Sequence, residues 1–133
     1  IVVEPDRAGW VLQSLKANKM KNVRIKKESI MGGMSGNEMS LVPWQILKNS
    51  VSHCVTVSDN YISKTVKFLA NCKFSDEKII GGECSTPGIV SLVGLCNDVE
   101  IKKKINLNED SNVLLFGCEG DADEELYQKL LNS

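Results

Sequence analysis

The stretch Cys54-Val55-Thr56-Val57-Ser58-Asp59, followed by Ile62, Val66, Leu69 and Ala70, carries the fold in miniature. Four residues rich in β-branched side chains read as a buried strand. Ser58 and Asp59 are residue types that cap helix N-termini. The apolar positions that follow recur at helical spacing and form one face. Strand, turn and helix in that order is the unit of a parallel α/β sheet.

The same unit recurs on both sides. Ile1-Val2-Val3 is a β-branched run ended by Glu4-Pro5, and Ala8, Val11, Leu12 and Leu15 then recur at helical spacing. Residues 30–37 carry three glycines and read as a loop, and Pro43 stands where a helix holding Trp44, Ile46 and Leu47 can start. Ile79-Ile80 leads into Gly81-Gly82-Glu83, after which Ser85 or Thr86 can cap a helix beginning at Pro87. That helix is apolar on nearly every side, which predicts deep burial. Val113-Leu114-Leu115-Phe116 reads as the clearest strand, Gly117 to Asp121 as the turn at its end, and Leu126, Tyr127, Leu130 and Leu131 as the last helix.

The pattern predicts an α/β fold, three layers αβα around a mostly parallel sheet, with strands near residues 1–4, 54–58, 78–82 and 112–117. The 133 residues are read as one domain, 1–133, with no internal repeat and no linker.

Charge and composition exclude several classes. Sixteen basic and seventeen acidic residues leave a net charge of -1, without the basic excess of nucleic-acid binders. No stretch approaches the ~20 apolar residues that span a bilayer, and no secretory signal leads the chain. The five cysteines form no CxxC pair and only one histidine, His53, is present, so no metal site is expected. Thiols of a reducing cytosol are the default, and with them a cytoplasmic location. The chain begins at Ile1 and not at methionine, which suggests processing or a piece of something longer.

In parallel α/β sheets ligands gather beyond the carboxyl ends of strands. The turn Gly117-Cys118-Glu119-Gly120-Asp121 is one such place. Its glycines allow close backbone approach, and its thiol, a weak donor and acceptor, can face a neutral heterocyclic nitrogen without protonating it. A buried structural cysteine beside a turn is the plainer reading. Gly81-Gly82-Glu83-Cys84-Ser85-Thr86-Pro87 is another, either an anion-holding helix start or an ordinary turn. Helix-end amides just after Glu83 should favour its ionised form. Met31-Gly32-Gly33-Met34-Ser35-Gly36 by itself is a loop. No nucleophilic triad can be drawn.

In collinear order, Ile1-Val2-Val3-Glu4-Pro5, Ile30-Met31-Gly32-Gly33-Met34, Trp44-Gln45-Ile46-Leu47, Gly81-Gly82-Glu83 and Gly120-Asp121-Ala122-Asp123 form a pattern. The set resembles the C-terminal portion of the diaminopropionate ammonia-lyases. More broadly it is similar to the tryptophan-synthase β-subunit-like, fold type II pyridoxal-phosphate enzymes. The resemblance implies roles for single positions. Cys118 falls where the family sets a serine, threonine or cysteine against the cofactor's pyridine nitrogen. Glu83 falls on the acid beside the cofactor ring, and Gly33 in the loop that packs by the cofactor face and substrate. Gly120 and Asp121 match the turn that shapes the same pocket.

The resemblance further implies β-elimination on a small amino acid, 2,3-diaminopropionate, giving pyruvate and ammonia, in a homodimeric parent enzyme. The lysine that anchors the cofactor and the glycine-rich phosphate loop lie in the family's N-terminal part, which is absent here. No catalytic residue is therefore assigned within these 133 residues, and the chain alone is expected to be inactive. Two alternatives stay open: a serine or threonine dehydratase of the same fold, and a catalytically silent module that binds a small molecule or a partner chain.

Overall fold

The computed structural model describes residues 1–133, which fall into two compact units, Ile1–Tyr61 and Ile62–Ser133. The first unit holds the sheet. Strand β1 spans Val2–Pro5 and β2 spans Cys54–Val57, paired in parallel with Val2 opposite Cys54 and Pro5 opposite Val57. Helix α1, Trp10–Ala17, lies between them in sequence and ends at Asn18, whose left-handed φ of 50° closes it. Asparagine tolerates that conformation better than most side chains.

Helix α2 spans Leu41–Ser50, starting two residues before Pro43, which occupies the first turn where its missing N–H costs nothing. Val11 of α1, Trp44 of α2 and Met39 form the core of this unit, with Val2, Trp10, Leu15, Leu47 and Cys54 packed against it. Of the apolar helix positions read from the sequence, Val11, Leu15, Trp44 and Leu47 belong to this core, whereas Ile46 is exposed.

Two buried carboxylates hold this unit's connections. Glu4, 3% exposed at the end of β1, accepts the Val11 N–H at 2.9 Å and the Leu12 N–H at 2.7 Å. Those are first-turn amides of α1 that no helical carbonyl can reach. Asp59, in a short 3-10 turn Asp59–Tyr61 after β2, pairs with Arg7 and accepts from the Ser29 hydroxyl and the Ile30 N–H.

The second unit is built of helices: α3 (Ile62–Ala70), α4 (Pro87–Asn97), α5 (Val99–Lys104) and α6 (Glu124–Asn132). Helix α3 buries Ile62, Val66 and Leu69 on one face and packs against α6, which buries Tyr127 and Leu130. The Ser63 hydroxyl donates to the Leu130 carbonyl at 2.7 Å across that contact. Asp98 and Asp123 cap α5 and α6 through the N–H groups of Ile101 and Leu126.

Three expectations are corrected. Residues 78–82 and 112–117 form no strands. No backbone hydrogen bond joins them; the one backbone bond nearby, Gly82 N–H to Glu119 O at 3.1 Å, lies beyond the second stretch, and one bond makes no ladder. Helix α4 is not buried on all sides: Pro87, Ile89, Ser91 and Leu95 are covered, whereas Val93 is 56% exposed. Val113, Leu114 and Phe116 are exposed as well, the last by 82%. Val113–Phe116 has a strand's composition without a strand beside it. No helix is long and apolar enough to cross a membrane.

Candidate functional site

The candidate site of the second unit is made by two segments, residues 81–86 before α4 and residues 117–121 before α6. Gly82 is what lets them meet. A Cβ there would stand 2.3 Å from the Gly120 carbonyl oxygen, a distance no side chain tolerates. Gly120 itself has open space where a side chain would be. Gly117 faces Ser85 at ordinary contact distance.

Glu119 is the clasp. Its N–H donates to Ser85 Oγ at 2.8 Å, while its carbonyl accepts from both the Gly82 N–H and the Ser85 hydroxyl. Its carboxylate Oε2 accepts the Cys84 N–H at 3.1 Å. Thr86, fully buried, donates its hydroxyl to the Glu83 carbonyl at 3.2 Å and precedes Pro87, the first residue of α4.

Glu83 is 9% exposed. Burial pushes its carboxyl above the usual range. Its own backbone amide opposes this, and the charges of Glu119 and Asp123, with a side-chain hydrogen bond to Glu119, reinforce it. The expectation that helix-end amides keep Glu83 ionised is therefore corrected. The side chain turns toward another carboxylate instead of the amides of α4, and two neighbouring carboxyl groups in a dry place favour keeping a proton. The carboxylate oxygens of Glu83 and Glu119 and the Cys84 sulfur lie within 4.8 Å of one another.

The predicted site residues are distributed as follows. Glu83, Cys118, Gly120 and Asp121 all stand on these two segments, and Cys118 and Asp121 are exposed. The exposure of Cys118 removes the plainer reading of a buried structural thiol. Gly33 belongs to the first unit, exposed within a 3-10 turn, Gly32–Met34. Sequence reasoning missed Glu119, Cys84 and Ser85. A glutamate between a cysteine and a glycine has no periodic signal, and only the Gly82–Gly120 approach brings it to Glu83.

These residues fit the chemistry of a pyridine-ring cofactor. An exposed thiol is a weak donor and weak acceptor for a ring nitrogen, burial inclines Glu83 to neutrality, and the surface at Gly120 is open.

No family model matches the chain. Diaminopropionate ammonia-lyase of Escherichia coli strain K12 is 28% identical over 134 residues, covering 98% of this chain. The Salmonella typhimurium LT2 enzyme of the same name is 26% identical over 137 residues. The chain spans 34% of each. Among solved structures, the E. coli enzyme in complex with an aminoacrylate-PLP azomethine reaction intermediate superposes with a TM-score of 0.82 at 27% identity, over 97% of this chain and 33% of that one. Its selenomethionine holo form gives 0.83 at 28% identity, over 97% of this chain and 32% of that one. A threonine deaminase from T.th., at 17% identity and TM-score 0.62 over 69% of this chain and 31% of that one, shares the fold alone. By sequence and by fold this α/β chain resembles diaminopropionate ammonia-lyase, matching about a third of that enzyme's length.

Proposed function

We propose that this chain is the C-terminal, cofactor-facing portion of a pyridoxal-phosphate-dependent ammonia-lyase that carries out β-elimination on 2,3-diaminopropionate, releasing pyruvate and ammonia. The observation that carries the reading is the likeness over 97% of the chain, at a TM-score of 0.82, to an enzyme of that name with its reaction intermediate bound. When bound, pyridoxal phosphate supplies the conjugated ring that accepts the electron pair left at the substrate Cα.

The chain's own residues set the surroundings of that ring. Cys118 would hold the ring nitrogen through a thiol, a weak donor and weak acceptor. Glu83 stands beside the ring as a carboxyl inclined to hold its proton. Gly120 and Asp121 shape the pocket wall, with Gly82 holding their turn in place.

The anchoring lysine and the phosphate loop come from the rest of the longer protein. The exposed Val93, Val113, Leu114 and Phe116 support this partner, since that much apolar surface calls for cover. The complete protein is proposed to be a homodimer and cytoplasmic.

The test is an absorbance titration with pyridoxal phosphate plus a pyruvate assay on diaminopropionate, serine and threonine. The complete protein should bind the cofactor and turn over diaminopropionate fastest. The 133-residue chain should do neither. In the complete protein, Cys118→Ala should weaken turnover, and Cys118→Asp should alter the cofactor absorbance by protonating the ring nitrogen. Turnover by the 133-residue chain alone, or cofactor binding by the complete protein that ignores Cys118, would sink the assignment.

A further inference from the structure

Glu119 has no role in the reading above, yet both its backbone and its carboxylate are tied to the facing segment. Its N–H and C=O bond to the segment Gly82–Ser85, and its Oε2 accepts the Cys84 N–H. Swinging away from Glu83 would break that last bond. The Glu83 carboxyl is buried, and its oxygen lies within 4.8 Å of a Glu119 carboxylate oxygen. Two carboxyl groups that close in a buried place repel when both are ionised, and one proton held between them relieves this. Oε2 of Glu119 is already engaged by an amide and Glu83 is the more deeply buried of the two, which makes Glu83 the better place for the proton. The charges that act on Glu83 from the neighbouring elements are Glu119 itself and Asp123, the cap of α6. The Cys84 thiol lies at the same spot.

We propose that Glu119 is a positioning residue that shares one proton with Glu83 and so presents Glu83 to the site as a neutral hydrogen-bonding acid. The inference deepens the lyase reading and rests on it for what Glu83 then faces. The sharing of the proton stands without any cofactor. With the cofactor bound, a neutral Glu83 would offer it a hydrogen-bonding acid without setting a negative charge beside the ring.

The experiment follows the carboxyl groups of the 133-residue chain by carbon-detected NMR with labelled glutamate, across pH, with circular dichroism as a check of the fold. One glutamate should keep its proton above the pH at which the exposed glutamates have lost theirs, and Glu83→Gln should delete that signal. Glu119→Gln should move its midpoint downward, because an amide can donate to an ionised Glu83 and carries no charge. Asp123→Asn, which can still accept the Leu126 N–H, should move it downward by less. The proposal is overturned if no glutamate titrates late, or if the midpoint stays put in folded Glu119→Gln. If Glu119→Gln does not fold, Glu119→Asp, whose shorter side chain draws back from Glu83, takes its place and should also lower the midpoint; an unmoved midpoint there overturns the proposal.

In the complete protein, the pH profile of the cofactor absorbance should shift in the same direction in Glu119→Gln. A wild-type complete protein that binds no cofactor defeats the lyase reading but leaves the titration result intact. A cofactor-binding protein whose Glu83 midpoint ignores Glu119 defeats the pair alone.

Discussion

At the residue scale, buried acids organise both units, and they do so with different kinds of partner. Glu4 is surrounded by donors: the Val11 and Leu12 amides and, at 3.5 Å, the Cys54 thiol. Replacing it with alanine strands two helix-start amides in a dry place. Glu4→Ala should therefore cost about 2–4 kcal/mol in urea unfolding. Glu4→Gln, which keeps one acceptor oxygen, should cost less.

The same contact acts on Cys54. Burial first, and the Glu4 charge second, push its thiol from 9.0 up to about 12. In the unfolded chain the thiol ionises near its ordinary value, but in the folded chain it stays protonated. The fold's preference for the proton is thus without effect below pH 9 and costs stability as pH rises from about 9 toward 12. Cys54→Ala should flatten that alkaline loss in thermal melts run from pH 8 to 11. A loss of the same steepness in the variant would contradict it.

At the scale of elements, the α3–α6 pair is the part of the second unit whose stability is most local. Ile62 and Val66 are fully buried, and the Ser63–Leu130 bond closes the contact. Ile62→Ala should cost about 2–5 kcal/mol by lost transfer energy and a cavity. A denaturant midpoint equal to wild type would mean that α3 does not rest on α6. Helix α4 behaves differently. It has the composition of a core helix, yet one side, at Val93, faces water. Its buried side sets Thr86 and Pro87 where they fix the approach of residues 81–86 to residues 117–121.

At the scale of the whole molecule, the chain covers about a third of the relatives it matches, and its most strand-like segment lies open. Phe116, 82% exposed, is the place to measure what that means. Phe116→Ser should leave the stability of the 133-residue chain within about 0.5 kcal/mol. In the complete protein the same change should cost about 3–5 kcal/mol, the range for removing a buried phenylalanine. Equal, small effects in both would mean that this surface stays uncovered in the complete protein, against the partner proposed for it.

What the sequence by itself determined is local. The β-branched runs at Val2–Pro5 and Cys54–Val57, the helical faces of α1, α3 and α6, and the glycines before and after the candidate site were legible because period and turn chemistry are properties of neighbouring residues. The resemblance added the order of the motifs, and with it Glu83 and Cys118. Tertiary structure decided the rest. Val113–Phe116 has every local mark of a strand, but a strand exists only through its partner, and no ladder forms there. Glu119 became the clasp only because Gly82 lets a backbone 38 residues away come close, as its contact with Gly120 shows. The protonation of Glu83 was misjudged for the same reason. The helix amides near it in sequence were visible, and the carboxylate near it in space was not.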